Sequence, residues 1–195
     1  MENNKFCGVD FGAKLAGTTA IAFADSEGKI CVEFSKKGQD ADTWLLGKIQ
    51  SAQFANVFID APLSLPGIYR ALPNCSDYFY RKCDRDLQAM SPMFLGGLTA
   101  RAMRLQKQLH DLQIECKETY PAYIATQLGL KELGYKKDKA ALNICLETVE
   151  KNYNFKTKGI ENWHCFDALL AYIGGIHFQS GKGKKFGDAE GIVYV

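Results

Sequence analysis

Three aspartates stand where carboxylates can be put to chemical use. Asp10 closes the apolar run 6–10 in GVDFGAK, and Asp60 closes the run 57–60 in VFIDAPLSLP. Asp167 falls one turn into NWHCFDALLAYIGG, whose apolar residues would bind a helix to a sheet. Parallel neighbouring strands present their C-terminal ends on one edge, so Asp10 and Asp60 could lie side by side. Carboxylates that close repel and raise each other's pKa unless a cation sits between them. Oxygen-only ligands select magnesium or manganese over zinc. Two such ions about 3.5–4 Å apart activate a water and stabilise the leaving oxygen of a phosphodiester. The bland reading of any one of these aspartates is a turn former or helix cap, and Asp167 alone could pair with Lys158. Neither explains why two separate strands end in an acid.

The elements that must position these acids are legible in outline. Residues 6–10, 18–24 and 29–34 read as strands joined by short turns at Gly12, Gly17 and Ser26-Glu27-Gly28, an antiparallel meander. Residues 42–52 carry Trp44, Leu45 and Ile49 at helical spacing, with Asp40 or Asp42 as N-cap. The run 57–60 then returns as a buried strand stopped by Pro62. Strand, meander, helix and returning strand predict an α/β fold with a mixed sheet, the last strand parallel to the first. Residues 63–97 are broken by Pro66, Gly67, Pro73 and Asn74 and read as an inserted lid in a single domain spanning 1–195. Helices are predicted at 98–112, 122–128, 139–153 and 162–178, and strands at 114–119 and 191–195, the last after a basic loop at 181–185.

Further polar residues cluster around this frame. Glu118 sits where a strand ends, in KETYPA, and could complete a metal shell or act on the water. His164 lies three residues before Asp167, on the same helical face, suited either to proton transfer or to a structural hydrogen bond. The segment Arg81-Lys82-Cys83-Asp84-Arg85-Asp86 reads as a salt-bridged helix start, or as guanidinium forks for phosphate at Arg81 and Arg85. Lys14 in GAK and Lys136 in GYKK join them as candidate substrate contacts. Arg101, Arg104 and Lys107 share a helical face that most simply meets solvent.

Composition bounds the alternatives. The 195 residues are 47% hydrophobic, enough for a real core, and the net charge of +2 does not by itself announce a nucleic-acid partner. Seven cysteines form no C-x-x-C pair, and their apolar neighbours mark them as reduced, buried thiols of a cytoplasmic protein. No run reaches the roughly 18 apolar residues of a membrane span, and MENNKFCGVD does not read as a leader.

GVDFGAK, FIDAPLSLP, RKCDRDL, ETYPA, GYK and HCFDALLAY occur in the order found in an uncharacterised ribonuclease-H-like family. That family is catalogued as domain of unknown function 429 and labelled a predicted nuclease, and the chain resembles it over nearly its whole length. HCFDALLAY is also similar to the last-helix motif of Holliday-junction resolvases. The resemblance implies a mixed five-stranded ribonuclease-H-like sheet with flanking helices. It makes Asp10, Asp60 and Asp167 ligands of magnesium or manganese, Glu118 a further site acid, and Arg85, Asp84 and Lys136 neighbours of the site. The implied activity is two-metal hydrolysis of a nucleic acid; a homodimer is compatible with it. Two other classes stand beside that one. GVDFGAKLAGTTA resembles the first phosphate loop of actin-like phosphotransferases, although the chain has room for one such lobe. A binding or scaffold domain that kept the fold without the chemistry is the other.

Overall fold

The structure is a computed structural model that describes residues 5–195; residues 1–4, part of the segment expected to carry no leader, lie outside it. An eight-stranded mixed sheet runs in the order β6-β3-β2-β1-β4-β5-β8-β7. Its strands are β1 (Phe6–Asp10), β2 (Ala20–Ala24), β3 (Ile30–Phe34), β4 (Asn56–Asp60), β5 (Glu115–Glu118), β6 (Thr157–Lys158), β7 (Lys185–Asp188) and β8 (Gly191–Tyr194). The helices are α1 (Ala41–Ala52), α2 (Lys82–Leu87), α3 (Pro92–Leu95), α4 (Gly97–Asp111), α5 (Pro121–Gln127), α6 (Lys139–Tyr153) and α7 (Trp163–Gln179). Where five strands were expected, β6 and the β7–β8 hairpin extend both edges. Lys185, read as part of a basic loop, opens β7 instead.

The meander is antiparallel through β1, β2 and β3, whereas β4 lies parallel to β1 and β5 parallel to β4. The C-terminal ends of β1, β3, β4 and β5 therefore share one edge. The central strands alternate between two covered faces. Cys7, Val9, Val57 and Ile59 pack with Leu45, Ile49, Leu105 and Leu109 of α1 and α4. The opposite face receives α7, whose Phe166, Leu169, Leu170 and Ile173 are wholly buried beside α5 and α6.

Glycine sets how closely α7 approaches. A Cβ on Gly8 would collide with the backbone of Tyr172 and Ala168, and one on Gly175 with the rings of Phe6 and Phe58. The helix thus rests on bare backbone at β1, which brings its first turns over the end of that strand. Asp40 caps α1, accepting from the N–H groups of Asp42 and Thr43, and Asn162 caps α7 by accepting from Cys165. The 61–96 stretch between β4 and α4 holds a 3-10 turn (Gly67–Arg70), α2 and α3. Of the basic face expected to meet solvent, Arg104 and Lys107 do so, Arg104 while also binding the Asp42 carboxylate. Arg101 is instead largely covered, bound to Asp42 and 4.7 Å over the Phe11 ring. All seven cysteines are unbridged. Among the described residues, no helix is long and apolar enough to cross a membrane.

Candidate functional site

Register places the first two acids. Asp10 is the direct partner of Asp60 across the parallel β1–β4 pair, so both side chains project from the same face, the one α7 covers. Asp167, in the second turn of α7, completes a carboxylate group drawn from three elements. A cleft of about 340 Å³ opens there, walled by Asp10, Asp60, Thr119, Tyr120 and Lys136 on one side and by Met90, Leu95 and Leu98 on another.

The acids differ in what satisfies them. Asp10 Oδ2 lies 2.8 Å from His164 Nδ1. Asp167 accepts a hydrogen bond from the Tyr135 hydroxyl and pairs at 2.7 Å with the Lys136 ammonium. Asp60 makes no hydrogen bond or ion pair with any described residue. Burial, then the charges of Asp10 and Asp167, push the Asp60 carboxyl well above the usual range. Burial also raises Asp167, to about 6, despite the opposing pull of Lys136. The hydrogen bond to Asp10 raises the His164 imidazole against the effect of its own burial. Burial alone would lower the Lys136 ammonium, yet Asp167 more than offsets it and the net shift is upward. Among the described residues, no three His, Cys, Asp or Glu side chains stand close enough to cage a metal ion as they lie.

Of the remaining expected residues, Glu118 and Asp84 line the cleft, while Arg81, Arg85 and Lys14 do not. Glu118 reaches the cleft wall but pairs in register with Ile59, so it projects to the face opposite Asp60. Both its oxygens bind Arg81, at 2.7 and 2.8 Å, and the Leu63 N–H donates to it at 3.0 Å. Arg81, expected to hold phosphate, is 0% exposed and divided between Asp84 and Glu118. Burial would lower its pKa, but those two carboxylates raise it. The Arg81–Asp84–Glu118 cluster instead ties α2 to β5. Arg85 lies outside the acid cleft, paired with Asp77 on the wall of a separate cavity of about 780 Å³. Lys14 pairs with Asp40 at 2.9 Å. Lys158, a possible partner for Asp167, binds Asp25 instead.

Two site residues escaped the sequence reading. Tyr135 precedes the lysine of GYKK and holds Asp167 from the loop before α6. Thr119 follows Glu118 and so shares the face of Asp60; its Oγ1 is buried without a partner among the described residues and sits against Gly174 of α7. Strand alternation, counted one residue past Glu118, was the signal available for it. No protein-family model matches the chain, and no curated protein matches it.

Proposed function

We propose that this chain is a metal-dependent phosphodiesterase acting on nucleic acid, built on a ribonuclease-H-like framework. The observation that carries the reading is the Asp10–Asp60 register pair faced by Asp167, with Asp60 unpaired among the described residues. The central strands β3-β2-β1-β4-β5 keep the meander-then-parallel arrangement expected of that framework, which also supports the resemblance to domain of unknown function 429. Seven unbridged thiols suit a cytoplasmic home.

The donor set fits a hard divalent cation. Its ligands are carboxylate oxygens, and burial with mutual repulsion holds two of them above their ordinary range, a strain that a cation relieves. Asp10, Asp60 and Asp167 would hold magnesium or manganese. When bound, the ion supplies Lewis acidity towards a phosphoryl oxygen and acidity to a water. The chain's own side chains do the rest. Lys136 brings positive charge to the cleft wall and remains half exposed, within reach of a phosphate. His164, held by Asp10 through Nδ1, leaves Nε2 to take or give a proton. Exposed lysines at 36 and 37, in the loop after β3, and at 131 and 137, in the loop that carries Lys136, favour a polyanion.

One observation favours a second reading, a non-catalytic domain. The pairs Lys136–Asp167 and His164–Asp10 already offset two of the three carboxylates. Calorimetric titration of manganese into wild type and Asp60→Asn separates the two, followed by incubation with single-stranded, duplex, hybrid and branched nucleic acids. Wild type is expected to bind manganese and cleave, and the variant to do neither. Absence of manganese binding by wild type, with nucleic acid present, would overturn the metal-dependent reading in favour of the second.

A further inference from the structure

The segment between β4 and α4 carries apolar surface that the fold does not use. Phe94 is 62% exposed, Met90 61%, Tyr78 56% and Phe79 52%. A contiguous patch of such area left in water marks a contact surface. These side chains are not loose. The Asp77 carboxylate accepts from the N–H groups of Phe79 at 2.7 Å and Tyr80 at 3.0 Å. The hydroxyl of Ser91, itself 0% exposed, donates to the Phe79 carbonyl. The Phe79 and Phe94 rings stand 5.7 Å apart, tilted by 34°, and Tyr80 meets Phe94 edge-on at 6.1 Å. Ala89, the exposed Met90 and Leu95 of the same stretch line the cleft of Asp10 and Asp60. A pinned aromatic step therefore begins at the wall of the acid cleft.

Charge decides what would cover it. The floor of the cleft is acidic, whereas Lys36 and Lys37 stand exposed on the loop that leaves β3 at the same sheet edge, and Lys131 and Lys137 on the loop whose Lys136 lines the cleft. Arg85, half exposed beside the step, is already paired with Asp77 and bonded to the Tyr80 carbonyl, so the free positive charge comes from the lysines. That surface suits a polyanion that also carries flat apolar rings. A duplex keeps its bases stacked inside, whereas a single strand offers them to protein aromatics. We propose that Phe79 and Phe94 form a stacking step for unpaired bases, so that the substrate enters the cleft as a single strand; this rests on the nucleic-acid reading above.

The test compares strands that share a backbone and differ in their bases. Fluorescence anisotropy, with calcium present, would follow labelled oligothymidylate, an abasic strand of equal length and the matching duplex. Measurements use wild type and Phe79→Ala/Phe94→Ala. Wild type is expected to bind the thymidylate roughly ten-fold or more tightly than the other two, the scale of aromatic–base stacking. The double variant should lose that preference while keeping wild-type manganese binding, since neither ring touches the acids. Equal binding of abasic and base-bearing strands, or a preference that survives in the double variant, would overturn the proposal. So would a wild-type dimer in sedimentation that the double variant abolishes, because the patch would then be a contact between copies. Base-dependent binding without cleavage in manganese would uphold the step and sink the phosphodiesterase reading. Cleavage without base dependence would do the reverse.

Discussion

Asp60 is the residue on which the acid site turns, because it alone of the three carboxylates has neither a hydrogen-bond donor nor an ion-pair partner among the described residues. Its charge is held in place by the fold against burial and two like neighbours. Asp60→Asn keeps the shape and removes that charge. In the absence of metal at neutral pH it is expected to raise Tm by roughly 2–4 °C, the shift worth about 1 kcal/mol in a chain of this size. Scanning calorimetry with and without manganese checks this, and the stabilisation that manganese gives wild type should vanish in the variant. A lowered Tm would mean that the carboxylate supports the fold. Asp10, Asp60 and Asp167 were legible from sequence because each sits at a position that strand ends and helical spacing define. Glu118 was not, since its role depends on which face of β5 it takes, and one residue of register reverses that. Arg81 and Arg85 look alike in RKCDRD, yet one is enclosed by two carboxylates and the other stands in water. Only tertiary packing separates them.

At the scale of elements, the site depends on how tightly α7 lies on β1, and Gly8 sets that distance. Gly8→Ala would drive a methyl into the Tyr172 backbone, which cannot yield as a side-chain tip can. A loss of about 3 kcal/mol, at the upper end for overpacking, is expected. Manganese affinity should fall with it, because the displaced helix carries Asp167. Gly47→Ala is the matched control, on the exposed side of α1 with nothing outside the helix within 4 Å of a new Cβ. It should stabilise by roughly 0.5–1 kcal/mol through helix propensity alone and leave manganese binding unchanged. Equal behaviour of the two variants in urea melts would remove the close helix–sheet contact from the account. The sequence announced α1, α4, α6 and α7 through long apolar periodicity, and their ends fell within a residue or so of expectation. It offered α2 as a salt-bridged helix start, one of two readings of RKCDRD, and the Arg81–Asp84 pair at its N-cap bears that reading out. It hid β6, whose two residues pair only at the edge of β3. Short elements stabilised by distant partners leave little local pattern to find.

At the scale of the whole molecule, a net charge of +2 conceals an arrangement. Acids lie on the floor at the C-terminal edge of the sheet, and lysines stand on the loops above it. Among the described residues, Lys36, Lys37, Lys131, Lys137 and Lys139 form no ion pair, so their charge is available to a partner. The aromatic step and this rim would act through different physics, and salt tells them apart. Phosphate contacts release counterions, so the slope of log K against log salt falls by about 0.7 for each phosphate a single strand loses. Stacking on a ring carries no such term. Lys131→Glu/Lys137→Glu is therefore expected to weaken oligothymidylate and the abasic strand alike, and to flatten the slope for both by roughly 0.7 per lysine. Phe79→Ala/Phe94→Ala should weaken only the base-bearing strand and leave the slope as it was. Anisotropy titrations across a salt series read both quantities at once. An unchanged slope in the lysine variant would remove the rim from the binding surface. The acid cleft would then have to draw its polyanion through Lys136 and a bound cation alone.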